Sequence, residues 1–106
     1  MVSLTMFEHK DLSVKIQEAG NKLVVIDFYA VWCGPCKQIA PKIEELELQY
    51  TNVVFLKVDI DENEEIAADY DISAMPTFVF IKNGNKLDSF TGANITKLQS
   101  TVDKYL

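Results

Sequence analysis

Residues 27–37 read Asp-Phe-Tyr-Ala-Val-Trp-Cys-Gly-Pro-Cys-Lys, and within this stretch a predicted strand gives way to a predicted helix. Cys33 and Cys36 are the only two cysteines of the chain, and residues 23–30 before them are almost all apolar, as in a buried strand. The first turn of a helix presents unpaired backbone N–H groups and the positive end of the helix dipole, which both favour a thiolate. The stretch therefore predicts a reactive dithiol pair at a strand-to-helix junction.

The spacing of the two cysteines favours a disulfide that forms and breaks during a reaction, rather than a permanent structural disulfide. Side chains three apart on a helix have Cβ atoms roughly 5–6 Å apart, whereas a relaxed disulfide needs about 3.8 Å. The loop that such a bond closes is also too short to restrict the unfolded chain much. Gly34 lets the backbone bend and Pro35 fixes a helix-compatible φ, so both are predicted to tune the redox pair.

Two other interpretations of a close cysteine pair stay open at this point. A structural disulfide is one of them. A structural zinc site is the other, but it needs four protein ligands, and His9 is the only histidine of the chain. Zinc would therefore have to be shared between two chains.

Size and composition indicate one small domain over residues 1–106. The chain is 48% hydrophobic and 25% charged, as in ordinary globular proteins. It has no apolar run of membrane-spanning length and no secretory signal pattern, so we expect a cytoplasmic protein without a membrane partner. The net charge of −6 argues against nucleic acid as a partner.

Hydrophobic periodicity predicts an α/β fold in which strands alternate with helices. Helices are expected at residues 7–19, 33–50, 64–70 and 95–106, and strands at 23–29, 53–58, 77–81 and 86–90. Pro41 is expected to kink the second helix, and Asn83-Gly84 predicts a tight hairpin. Five phenylalanines are assigned to the core: Phe7, Phe28, Phe55, Phe78 and Phe80.

Asp27 is the unusual residue of the first predicted strand, because a carboxylate is expensive to bury among apolar side chains. Burial would raise its pKa toward neutrality and make it a proton acceptor. Alternatively, Asp27 reaches water or caps a turn near the strand end. Trp32 also leaves two possibilities, a core aromatic or an exposed wall beside Cys33.

Several motifs together resemble the thioredoxin family. Residues 32–37 (WCGPCK) follow 27–30 (DFYA), with 74–78 (AMPTF) downstream, and the similarity runs almost end to end. Residues 72–77 are more similar to eukaryotic cytosolic members than to bacterial ones. The resemblance implies a central five-stranded mixed sheet flanked by four helices. It also implies a cis Met75–Pro76 bond beside the cysteines.

The resemblance implies a role for each residue of the site. Cys33 would attack a substrate disulfide, and Cys36, expected to be the less exposed of the two, would resolve the mixed disulfide. Asp27 would accept the proton of Cys36, with Lys57 as its partner, although Lys57 could equally be a surface lysine. The substrate surface would comprise Trp32, Ala74, Met75, Pro76, Gly92 and Ala93.

The implied function is general protein disulfide reduction, with roles in electron transport and cell redox homeostasis. Because the chain has no nucleotide-binding glycine motif, we expect no cofactor of its own and electrons from an NADPH-dependent thioredoxin reductase. Disulfide-containing proteins such as peroxiredoxins would be the substrates, and we expect a monomer.

Two alternative functions remain on the same fold. One is a protein disulfide oxidase or isomerase, which usually carries a histidine or another polar residue where this chain has Pro35. The other is a non-catalytic thioredoxin-like binding subunit, in which intact Cys33, Cys36 and Asp27 would be unneeded.

Overall fold

A computed structural model describes residues 2–4 and 9–106. In chain order the elements are β1 (Val2–Leu4), α1 (His9–Glu18), β2 (Val24–Tyr29), α2 (Gly34–Gln49), β3 (Val54–Asp59), α3 (Glu64–Asp69), β4 (Thr77–Lys82), β5 (Asn85–Thr91) and α4 (Ile95–Tyr105). None of the helices in these residues is long and apolar enough to cross a membrane.

The described strands form one mixed sheet in the order β1-β3-β2-β4-β5. Strands β1 and β2 run parallel to β3, whereas β4 is antiparallel to both β2 and β5. Strand β2 thus has a hydrogen-bonded neighbour on each side, and the carboxyl end of this inner strand leads directly to the cysteines. The mixed sheet with its flanking helices confirms the predicted fold class.

The core lies on both faces of the sheet, because alternate side chains of each strand point to opposite faces. On one face Val25 and Phe55 pack with Ile39 of α2 and Leu98 of α4. On the other face Ile26, Phe28 and Leu56 pack with Leu12 of α1 and Ile66 of α3. The core assignments of Phe28, Phe55, Phe78 and Phe80 are confirmed, whereas Phe7 lies outside the described residues.

The predicted hairpin joins β4 to β5 through Asn83 and Gly84, which both have positive φ, 55° and 77°. Two successive residues of positive φ are what the tightest hairpin turns require. Helix α2 continues through Pro41 to Gln49. Its end is tied to α4 by a hydrogen bond from the Tyr50 hydroxyl to the Asp103 carboxylate.

Candidate active site

The two cysteines lie at the start of α2, directly after the turn that follows β2. Cys33 is the N-cap residue with an extended backbone (φ −82°, ψ 111°), and Pro35 lies in the first turn. The Cys36 backbone N–H donates a hydrogen bond of 3.2 Å to Cys33 Sγ. The sulfurs form a disulfide with 5.3 Å between the Cα atoms. Cys33 Sγ thus lies where the free N–H groups and dipole of α2 stabilise negative charge.

Both cysteines are nearly buried in this disulfide form. The exposed fraction is 5% for Cys33 and 7% for Cys36, so the expectation that Cys36 is the less exposed residue is wrong here. The bond draws both sulfurs into one cluster with Ala30, against which Ile60 and Met75 pack. Exposure therefore does not distinguish the two cysteines, whereas the backbone hydrogen bond at the start of α2 is made to Cys33 Sγ.

Asp27 is buried in the middle of β2, with 6% of its surface exposed. Its Oδ1 atom has no hydrogen-bond partner in the described part of the chain. Burial raises the pKa of Asp27 to about 7, and the positive charge of Lys57 opposes that rise. The burial expected from the apolar neighbours is confirmed. Near neutral pH, the ionised and protonated forms of Asp27 are present in comparable amounts.

A cleft of about 200 Å³ lies between Asp27 and Cys36. Its lining includes Asp27, Cys36 and Lys57, together with Tyr29, Ala30, Val31, Lys37 and Ala40. The volume is enough for several water molecules, and the lining offers polar groups to bind them. The cleft therefore has room for water between Cys36 and Asp27.

Trp32 is not a core residue, because 63% of its surface is exposed. Its indole Nε1–H donates a hydrogen bond of 2.8 Å to Asp61 Oδ2 in the turn after β3. The bond holds the ring of Trp32, the residue before Cys33, against the turn after β3. The sequence analysis missed Asp61, whose place in an acidic stretch gives no signal of a bond to an indole 29 residues away.

The segment before β4 completes the surroundings of the disulfide. The Met75–Pro76 peptide bond is cis, and Met75 packs against the cysteine cluster. The Gly92 N–H donates to the Pro76 carbonyl at 2.9 Å. Gly92 has φ of 113°, with no atom within 4 Å of an added Cβ. Of the other predicted substrate residues, Ala74 and Ala93 are both exposed.

Comparisons with known proteins agree with this geometry. The family model described as Thioredoxin matches residues 3–104. Thioredoxin-T of Drosophila melanogaster is 55% identical over 96 residues, which are 90% of this chain and 61% of that protein's length. Thioredoxin of Equus caballus is 52% identical over 82% of this chain and 83% of its own length.

The solved structure of Fasciola hepatica thioredoxin superimposes with a TM-score of 0.96 at 50% identity, and the match covers 100% of both chains. Its similarity thus includes the sheet, the helices and the turn that carries the cysteines. The chain belongs to the thioredoxin family of protein disulfide oxidoreductases, and Cys33 and Cys36 are its redox-active pair.

Proposed function

We propose that the chain reduces protein disulfides in two exchange steps in which Cys33 attacks first. The hydrogen bond from the Cys36 N–H to Cys33 Sγ carries this assignment, because it stabilises a thiolate on Cys33. The Cys33 thiolate attacks one substrate sulfur, and the other substrate sulfur leaves as a thiolate. Cys36 then attacks Cys33 Sγ, and the second substrate thiolate leaves. Two electrons pass to the substrate as the Cys33–Cys36 disulfide forms.

Asp27 is the proposed proton acceptor for the second step. Cys36 must lose its proton before it can attack, and it lines the same cleft as Asp27. A carboxyl group with a pKa of about 7 accepts a proton at neutral pH and returns it readily.

We expect Asp27→Asn to slow the resolving step by roughly a hundredfold at pH 7.5, the low end of what a positioned base contributes. The amide cannot accept the proton of Cys36. In the unsubstituted protein the resolving rate should fall as the pH drops through about 7, because Asp27 becomes protonated. This dependence should be absent in the variant.

The measurement is single-turnover decay of a preformed Cys33 mixed disulfide across pH 5–9. Glu45→Gln is the matched control, since it removes an exposed carboxylate from α2, the helix that contains Cys36. An unchanged pH–rate profile in Asp27→Asn would remove Asp27 from the mechanism.

The proposed substrate is an extended segment of a disulfide-containing protein that lies against Trp32 and the cis-proline segment. Pro76 has no N–H, and its carbonyl already accepts from Gly92. Backbone pairing with the substrate therefore falls to Met75, in the manner of strand addition. The open space at Gly92 and the exposed Ala74 and Ala93 leave room for the peptide.

The proposed electron source is an NADPH-dependent thioredoxin reductase, with peroxiredoxins among the substrates. In this proposal the chain is a cytoplasmic monomer that carries electrons from the reductase to its disulfide substrates and maintains redox homeostasis. The resemblance to cytosolic thioredoxins and the match with curated thioredoxins support it.

The test is NADPH consumption with a thioredoxin reductase and insulin, with and without the chain. We expect consumption to rise in proportion to the concentration of the chain, and the alkylated chain is the control. A parallel assay driven by dithiothreitol separates a mismatched reductase from an inactive chain. If neither reductant supports insulin reduction, the non-catalytic binding function is favoured.

A further inference from the structure

Strands β2 and β3 bring Tyr29 and Lys57 together near the proton acceptor. Asp27 is the register partner of Lys57 in this parallel pair. Tyr29 lies two residues beyond Asp27, and side chains two apart on a strand share a face. The Lys57 Nζ lies 4.3 Å from the centroid of the Tyr29 ring. The lysine side chain therefore extends toward the carboxyl end of β2, where Tyr29 lines the cleft.

Tyr29 is also part of the surroundings of the redox pair. Its side chain is half-buried and packs against the cluster of Ala30, Cys33 and Cys36. It lines the same cleft as Asp27 and Lys57. Because the aromatic ring is fixed by this packing, its negative face offers a fixed position to an ammonium group. A lysine side chain is otherwise flexible and strongly hydrated.

We propose that Tyr29 is a positioning residue that holds the Lys57 ammonium group at the cleft through a cation–π contact, and so keeps a positive charge within reach of the Asp27 carboxylate. The proposal deepens the proposed function and rests on Asp27 as proton acceptor. It assigns Tyr29 no contact with the substrate and no part in the exchange of sulfur bonds.

The groups around Asp27 explain why the position of one lysine matters. Strand β3 contributes Lys57, α2 contributes Cys36 and Lys37, and β2 contributes the phenol of Tyr29. On the β4 side the register partner is the apolar Phe78. Burial raises the pKa of Asp27, and the charge of Lys57 opposes it. If Lys57 turned into the solvent, less Asp27 would be ionised at neutral pH, and proton transfer from Cys36 would slow.

The direct test is the ¹³C NMR titration of the Asp27 carboxyl carbon in the disulfide form of the full chain. Tyr29→Leu removes the ring and should raise the Asp27 midpoint by roughly half a pH unit, given the usual strength of a cation–π contact. Tyr29→Phe retains the ring and should retain the midpoint. An unchanged or lowered midpoint in Tyr29→Leu would overturn the proposal, as would an equal rise in both variants.

A double-mutant cycle shows whether Tyr29 acts through Lys57. Lys57→Met alone should raise the midpoint, and Tyr29→Leu added to it should change the midpoint no further. Additive shifts would mean that Tyr29 acts by another route and would overturn the proposal. Lys97→Met is the matched control, because Lys97 lies 4.9 Å over the Phe90 ring, outside the cleft lining.

These titrations do not depend on catalysis, so the proposal and the proposed function fail in different ways. An unaltered resolving rate in Asp27→Asn would contradict the role of Asp27 as proton acceptor. It would leave the NMR midpoints of Asp27 in the Tyr29 and Lys57 variants unaffected. If Asp27 is the base, Tyr29→Leu should also move the pH–rate profile of the resolving step upward, in parallel with the Asp27 midpoint.

Discussion

Cys33→Ser should lower disulfide reduction by about a thousandfold or more, to the uncatalysed level. A serine hydroxyl ionises far above neutral pH, and the N–H groups at the start of α2 then have no thiolate to stabilise. Cys36→Ser should give a different outcome. Cys33 still attacks in that variant, but nothing resolves the product, so each chain should stop after one substrate as a mixed disulfide.

Mass spectrometry under non-reducing conditions distinguishes the two variants. With a disulfide substrate in excess, Cys36→Ser should gain the mass of one substrate fragment, and Cys33→Ser should stay at its own mass. Serine is close to cysteine in size, so both variants should melt like the reduced wild-type chain. Equal residual turnover in the two variants, or a mixed disulfide on Cys36, would contradict the order of attack.

Asp27→Asn should stabilise the protein at high pH, by roughly 4 kcal/mol at pH 9. The folded protein holds the Asp27 proton up to a pKa of about 7, whereas the ordinary value is 3.8. Between these two values the unfolded chain binds fewer protons than the folded one, so stability falls as the pH rises. Above about pH 7 the loss is complete, and the amide variant avoids it.

Urea unfolding of the disulfide form at pH 4, 7 and 9 measures this difference. The advantage of Asp27→Asn should be small at pH 4 and should level off above about pH 7. Glu45→Gln, an exposed carboxylate, should follow the wild-type curve at all three pH values. Parallel curves for Asp27→Asn and the wild type would mean that Asp27 is not held protonated in the folded state.

Local sequence patterns predicted most of the architecture. The apolar run that becomes β2 is a strong signal of a buried strand. The spacing of Ile39, Ile43, Leu46 and Tyr50, at intervals of four, three and four residues, is a strong signal of an amphipathic helix. The turn at Asn83 and Gly84 follows from residues that tolerate positive φ. Hydrophobic periodicity did not predict strand β1, because a strand of three residues is too short to show an alternation of apolar and polar side chains.

The site was predictable in its residue types and less so in its contacts. The burial of Asp27 follows from its own apolar neighbours. The bond of Trp32 to Asp61 and the contact of Lys57 with Tyr29 depend on which loops and strands meet, and no local pattern encodes that pairing. A period-two search from Asp27 would have found Tyr29 on the same strand face, but not its partner.

The antiparallel register of β4 on β2 pairs Ile81 with Val24, at the amino end of β2. The turn at Asn83 and Gly84 therefore lies at the opposite end of the sheet from the disulfide. An electrode, resin or fluorescent label tethered at this turn would leave the end of the sheet that carries the disulfide turned toward the solution. The same polarity gives a protein engineer one end of the molecule to modify freely while the other end performs redox chemistry.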